Sequence, residues 1–368
     1  ARSMSSIFHL RGQVARYAKE TARSVYLEAA ACEDDNQAKA AATWAKTSAS
    51  HNRRAAMIDT CASEPGIQVA PSDFDRDPWL LNCQNGILDL KKGELRAHDP
   101  QAMLTKIAGA DYDPGAACPT WERFLERVFD HNPGMVEFIQ RCVGYSLTGQ
   151  VGEQVLFFCY GSGANGKSTF TGAIQDILGD YGMKTRAETL MVNRRDAIPE
   201  EVAQVAGVRF LLAAELGEGE RLNEGLIKDL TGGDRLRARF LYKSSFEFLP
   251  IAKPWLYGNH RPIIAGNDEG IWRRVHLIPF DVTIPPGERD PNLPAKLRAE
   301  LPGILAWAVR GCVAWQSQGL KAPAAVREAT AAYRSEQDIL AGFLEDCCVI
   351  NSLVSVTAGA LYAEYRTW

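Results

Sequence analysis

Hydrophobic and polar positions change their rhythm several times along the chain. Across residues 6–62, Val14, Tyr17, Ala18, Val25 and Leu27 recur at roughly helical spacing in a background rich in Ala, Arg, Lys and Glu. The segments VARYAKETARSVYLEAAAC and NQAKAAATWAKTSASHNRRAAMIDTCA hold neither Pro nor Gly, so each predicts a helix of an antiparallel module. The stretch SEPGIQVAPSDFDRDP at 63–78, with three prolines, breaks that pattern. WLLNCQNGILDLKKGELRAHDP then predicts short strands around turns at Asn85-Gly86 and Lys92-Gly93. PTWERFLERVFDHNPGMVEFIQRCVGYSLTG predicts two helices split at Asn132-Pro133-Gly134.

From residue 153 the order becomes strand, glycine loop, helix. EQVLFFCY is a continuous apolar run of buried-strand length, GSGANGKST follows it, and FTGAIQDILG continues as a helix. Further apolar runs are GVRFLLAAE (207–215) and KPWLYGN (253–259); helical patterns return at 294–318 and 323–346. The last residues, VSVTAGALYAEYRTW, predict a turn and the start of a helix. The fold class expected is an α/β P-loop nucleoside triphosphatase with an N-terminal helical module. Its expected domains are a helical module at 1–72, a mixed α/β module at 73–150, the core at 151–322 and C-terminal helices at 323–368.

Composition narrows this little. Lys and Arg total 41, Asp and Glu 45, for a net charge of −4, which excludes a chain coated in basic charge but leaves room for a basic patch. Nine cysteines without a C-x-x-C pair suit reduced thiols better than a disulfide framework or a zinc site. Six scattered histidines lack H-E-x-x-H spacing, which speaks against a metal hydrolase. No apolar run has the length of a membrane span.

The chemistry concentrates after residue 160. Gly161-Ser162-Gly163-Ala164-Asn165-Gly166-Lys167-Ser168, followed by Thr169, fits G-x-x-x-x-G-K-[ST] in full. Glycines let backbone N–H groups curl around phosphate, and the helix that follows adds its positive end. Lys167 is expected to reach the β- and γ-phosphates of ATP and Ser168 to hold Mg²⁺. Glu215 closes the second apolar run, as a residue that polarises water or helps hold the metal shell; Glu218 and Glu220 are weaker candidates. Asn259 closes the third, where an amide can bond both γ-phosphate and lytic water. Arg273 and Arg274 suit either transition-state stabilisation across a subunit boundary or a solvated pair beside a core strand. Between 228 and 243 lie Lys228, Arg235, Arg237, Arg239 and Lys243 against Asp229 and Asp234, a surplus of three positive charges. RARFLYKSSFEF alternates like a hairpin with a basic tip, on which Tyr242 or Phe240 could stack with bases, or serve as core.

Together these segments resemble the superfamily 3 helicases, in particular the primase–helicase proteins of phages, satellite phages, plasmids and poxviruses. The resemblance covers roughly 73–346. FDRDPWLLNCQNGILDLKKGELRAHDP and RCVGYSLTGQ are similar to the segment preceding the ATPase in that family; GSGANGKSTF is its P-loop wording. AELGEGERLNEGLIKDLTGGDRLRARFLY and LYGNHRPIIAGNDEGIWRRVHLIPF resemble its acidic, Asn and arginine motifs, and LPGILAWAVRGCVAW and ATAAYRSEQDILAGFL its C-terminal helices. The resemblance implies an AAA+ type core in a hexameric ring, with ATP at subunit interfaces and movement along single-stranded DNA, usually 3′ to 5′, to unwind forked duplex. By position it makes Lys167, Ser168, Glu215 and Asn259 the active site within one subunit. Arg274, with Arg273 as alternative, becomes the finger on the neighbour's ATP. Lys228 and Lys243 become the leading DNA contacts, with Arg239 and Tyr242 beside them.

The N-terminal helices match the family only loosely and read as a collar for assembly. VTAGALYAEYRTW resembles the opening of a winged-helix module. The expectation is the helicase part of a longer replication protein, with a fused or separate primase, in a bacterial host cytoplasm. Two rival readings remain: an ATP-dependent origin-binding initiator or loader, and a P-loop kinase or small-molecule nucleoside triphosphatase unconnected to DNA.

Overall fold

The computed structural model describes residues 2–66, 69–192, 200–240, 245–266, 268–338, 343–344, 346–349 and 355–368, with the side chains of 2–11, 71 and 200 left out. It divides into two compact units, 1–74 and 75–368. The first holds three helices, α1 (Arg2–Ala31), α2 (Asp35–Ser48) and α3 (His51–Cys61). Ala18, Ala22, Val25 and Ala29 form the buried stripe of α1, small side chains that let helices approach closely. Asp34 starts α2, its carboxylate accepting from Asn36 N at 2.8 Å and Gln37 N at 2.9 Å. The single helix expected over 36–62 is two. Ser50 is extended, and the Arg54 guanidinium takes up the carbonyl of Ala49 at the break.

The second unit opens with an antiparallel meander, β1 (Leu80–Cys83), β2 (Gly86–Asp89) and β3 (Glu94–Arg96). Helices α4 (Pro119–Val128) and α5 (Pro133–Ser146) follow. Then come β4 (Leu156–Tyr160), α6 (Lys167–Leu178), β5 (Gly182–Arg186), α7 (Glu200–Gln204), β6 (Phe210–Ala214) and α8 (Glu224–Gly232). A short hairpin of β7 (Leu236–Ala238) and β8 (Phe246–Phe248) precedes β9 (Lys253–Gly258), α9 (Glu269–Trp272) and β10 (Val275–Pro279). The chain continues through α10 (Leu293–Ala299), α11 (Leu301–Gln318), α12 (Ala324–Gln337) and α13 (Ala358–Thr367).

Five strands form one parallel sheet in the order β10-β4-β9-β6-β5. The apolar runs are its three inner strands, and alternation along them builds a core on each face. Phe157, Cys159, Phe210, Leu212 and Trp255 pack against α4, α5, α6 and α11 through Trp121, Phe138, Phe170 and Leu305. Leu156, Phe158, Leu211, Ala213 and Leu256 face Ile227, Trp272 and Tyr333. The edge strand β5, GMKTR, has a polar sequence and no apolar run. The helix expected over 294–318 breaks at Glu300. Pro302 lacks the N–H that a continuous helix would use, and the freed Glu300 carboxylate accepts from Thr120 N at 2.9 Å and Trp121 N at 3.1 Å, capping α4. In the helix expected over 323–346, residues 339–342 and 345 lie outside the described residues.

Among the described residues, Arg209 and Lys253 are the most deeply buried cations of this unit. Arg209, 2 % exposed, donates to the carbonyls of Leu147 at 2.6 Å and Leu80 at 2.7 Å, with its guanidinium 4.4 Å from the Tyr181 ring centre. Lys253 donates to the carbonyls of Thr148 and, at 2.9 Å, Ile251. Carbonyls just past the C-terminal end of α5 are thus met by positive charge, the sign that end of a helix favours.

His276 on β10 sits between the rings of Phe138 and Phe157, at 5.9 and 5.8 Å. Burial pulls its imidazole down from 6.5 to about 4. Between those values the unfolded chain takes up a proton that the folded chain refuses, so stability falls as pH drops through that window. Urea unfolding of His276→Phe against the native chain at pH 7 and pH 4.5 should show the variant losing about 2 to 3 kcal/mol less on acidification.

Candidate nucleotide site

Parallel strands bring their C-terminal ends to one edge, and three loops meet there. The loop after β4 curls through Gly163 (φ 113°), Ala164 (φ 49°) and Gly166 (φ 83°), backbone values that glycine favours. A Cβ on Gly166 would lie 2.8 Å from Val128 Cγ1 and 2.9 Å from Phe124 Cε2, so α4 packs directly on the loop. The loop is anchored on its other side as well. Asn165, 2 % exposed, donates from Nδ2 to the Phe280 carbonyl at 2.8 Å, and Ile284 N donates to the Ala164 carbonyl at 2.8 Å.

Lys167 opens α6 with its ammonium buried. Nζ donates to the Gly161 carbonyl at 2.7 Å, to Asn165 Oδ1 at 2.8 Å and to Asn259 Oδ1 at 3.1 Å. Burial holds the ammonium below the usual lysine range, opposed by the Cys159 thiol nearby. Asn259 follows β9, the strand beside β4, which is why its amide reaches the lysine. Glu215 follows β6, one strand further out, and is exposed; its N–H donates to Tyr257 O at 3.2 Å. Its φ of 63° turns the chain sharply at the strand end, a conformation strained for a residue with a Cβ.

A cavity of about 740 Å³ opens between these loops. Gly163 to Thr169, Glu215 and Asn259 all line it, so a backbone cradle, an ammonium, a hydroxyl, a carboxylate and an amide face one space. Gly161 and Ser162 of the glycine loop are absent from the lining; a Cβ on Gly161 would strike Asn165 Nδ2 and the Phe280 carbonyl. The Ser168 hydroxyl and Glu215 carboxylate are hard oxygen donors that fit a magnesium ion accompanying phosphate. Glu218 and Glu220 do not line the cavity. The opposite wall was not foreseen from the sequence: Arg123, Phe124 and Arg127 of α4 face Ile284, Glu288 and Leu293, with Arg127 Nη2 and Glu288 Oε2 3.0 Å apart. Only the amphipathic pattern of α4 could have signalled it.

The two arginines stand elsewhere. Both precede β10, and Leu156 N, at the start of β4, donates to the Arg274 carbonyl at 2.7 Å. They are therefore at the N-terminal edge of the sheet, about 16 Å of strand from the glycine loop. Arg274 is buried, its Nε donating to Thr231 Oγ1 at 3.0 Å and its Nη1 to the Gly270 carbonyl. Arg273 is exposed and donates to Gln154 Oε1 at 2.7 Å.

Of the expected DNA contacts, Tyr242 and Lys243 lie outside the described residues. Arg239 is exposed, and so are Arg235 and Arg237, while Leu236 and Ala238 between them are buried; alternation sets the three arginines on the outer face of the hairpin. Lys228, on α8, is ion-paired with Asp268 at 2.9 Å. Phe240 stacks on Phe246, ring centres 5.5 Å apart.

A five-stranded parallel sheet with a glycine loop between its second strand and a helix defines an α/β protein compatible with a P-loop nucleoside triphosphatase-like core. The family described as D5 N terminal like matches residues 2–130, so the N-terminal helices fall inside the match together with the meander and α4. A helicase-named protein of Acanthamoeba polyphaga mimivirus is 27% identical over 321 residues, spanning 80% of this chain and 33% of that protein. A helicase-named protein of Frog virus 3 (isolate Goorha) is 30% identical over 379 residues, spanning 80% and 39%. A primase-named protein of African swine fever virus is 24% identical over 212 residues, 55% and 22%. Among solved structures, the NrS-1 C terminal region superposes with a TM-score of 0.50 at 11% identity, over 68% of this chain and 64% of that one, a likeness of fold. These likenesses support membership of the phage and viral primase–helicase family. It spans a third to two fifths of the length of the helicase-named relatives.

Asn165→Ala keeps every glycine of the loop but leaves the Phe280 carbonyl without its side-chain donor. Urea unfolding should show a loss of about 1 to 3 kcal/mol.

Proposed function

We propose that this chain is the ATP-driven DNA helicase part of a replicative primase–helicase, with an AAA+ type core. The observation carrying the reading is the single cavity lined by the glycine loop, Lys167, Ser168, Glu215 and Asn259. In it the backbone N–H groups and Lys167 neutralise the phosphates of ATP. Magnesium, held through Ser168 with Glu215 near its shell, would supply further charge neutralisation on the phosphates. Glu215 accepts hydrogen bonds from a water aimed at the terminal phosphorus, and Asn259 holds that water against the γ-phosphate. An intervening strand between the Glu215 strand and the loop strand leaves space for the water.

No arginine of the β10 segment reaches this cavity within one chain, which supports a site completed by a neighbour in a ring, hexameric by resemblance. The exposed Arg273 suits the finger better than Arg274, whose guanidinium is committed to Thr231 and Gly270. The arginine row of the hairpin, with Lys228 once released from Asp268, supplies a basic track for single-stranded DNA. The 3′ to 5′ direction rests on the resemblance alone. The relatives named helicase and primase support DNA as the track.

ATPase rate against protein concentration, with and without single-stranded DNA, tests this. A rate per subunit that rises cooperatively, is stimulated by DNA and disappears in Lys167→Ala is expected. Arg273→Ala should bind ATP but lose about 10³-fold in turnover, partly recovered by mixing with Glu215→Gln subunits. A rate per subunit flat with concentration and indifferent to DNA would replace this reading with a self-contained kinase-like site. Strand displacement from a forked duplex separates a helicase from a loader.

A further inference from the structure

The turn that carries Asn259 does not stand alone. Two residues on, Arg261 lies between two tyrosine rings, its guanidinium carbon 4.9 Å from the centre of Tyr160 and 5.4 Å from that of Tyr333. Its Nη2 is 2.5 Å from Glu336 Oε2. Tyr160 ends β4 and immediately precedes Gly161 of the phosphate loop. Tyr333 and Glu336 belong to α12, roughly 70 residues further along the chain. The same helix holds the turn twice more. The Tyr333 hydroxyl donates to the Pro262 carbonyl, and Gln337 Oε1 accepts from Ile264 N at 3.1 Å. Tyr333 is fully buried, so this contact is fixed by packing. On its other side α12 bonds the sheet, Thr330 Oγ1 accepting from Leu277 N at 3.0 Å.

A planar, permanently charged guanidinium is the side chain that can stack on two rings and still bond a carboxylate at its edge. It joins the end of the phosphate-loop strand, the Asn259 turn and α12 at one point. We infer that Arg261 is a positioning residue: it sets the Asn259 amide against the terminal phosphate, and through Glu336 and Tyr333 it links that amide's position to α12. This rests on the ATPase reading above. A displacement of Asn259 when phosphate takes over its bond to Lys167 must pass into the Arg261 stack, because only one residue separates them.

The plain alternative is that the cluster only glues α12 to the sheet, and a double-mutant cycle separates the two. Turnover and ATP affinity are measured for the native chain, Arg261→Ala, Asn259→Ala and the double variant, with urea unfolding of each. Arg261→Ala should lower kcat roughly 10- to 100-fold while ATP affinity changes less than about threefold. In the Asn259→Ala background the same change should cost almost nothing more in kcat. Glu336→Gln, at a half-exposed position, serves as the milder probe should Arg261→Ala fail to fold, and should show the same loss of effect in that background. Equal losses of kcat in both backgrounds, or no loss in either, overturn the inference while leaving the ATPase reading standing. A native chain that neither binds nor hydrolyses ATP overturns both.

Discussion

One buried positive charge organises the C-terminal edge of the sheet. The Lys167 ammonium is out of water, and its three hydrogen-bond acceptors are all neutral oxygens, from Gly161, Asn165 and Asn259. Dipoles satisfy its protons without cancelling its charge, and burial pulls its proton affinity down. A carboxylate in place of either amide would hold the lysine more tightly. It would also repel the phosphate that this cavity suits and turn a binding site into an internal ion pair. Two asparagines therefore make a lysine that is positioned but still electrostatically hungry.

That arrangement depends on strand order. Asn259 can share a lysine with the glycine loop because β9 lies beside β4, and Glu215 stands back because β6 is one strand further out. The loop is held in shape from outside the sheet as well. Asn165 ties it to the end of β10, while Phe124 and Val128 of α4 fill the space at Gly166. Helix α4 is in turn fixed by Glu300, which caps it from the break between α10 and α11. The region matched by the D5 N terminal like family ends within this wall. The family's N-terminal segment thus reaches the wall of the cavity through α4.

Much of this was legible in residue order. The glycine loop, the apolar runs that became β4, β6 and β9, and the turns of the meander follow from local rules that act within a few residues. What escaped the sequence was set by partners distant in the chain. The strand β5 has no apolar run because it is an edge whose pairing with β6 supplies its order. The helix break at Glu300 depended on the N-terminus of α4, whereas the break at Ser50 is local, with Arg54 taking up the Ala49 carbonyl. Arg209 and Lys253 stand near the starts of apolar runs, yet they are buried to meet carbonyls near the end of α5. The arginine motif gave the residues but not their end of the sheet, and Arg273 and Arg274 differ in exposure despite being neighbours.

The position of that motif has a consequence for assembly on the reading proposed here. A parallel sheet has two chemically different edges, one that collects loops for phosphate and one that does not. An arginine at the second edge is separated from its own cavity by the full length of β10 and β4, and no side-chain rotamer crosses that distance. It can serve a phosphate only on another copy whose first edge faces it. Such a contact joins unlike surfaces, and repeated head to tail it closes into a ring or runs on as a filament. The polarity of the sheet would then set the polarity of the assembly, and hydrolysis at each site would report on the neighbour across it.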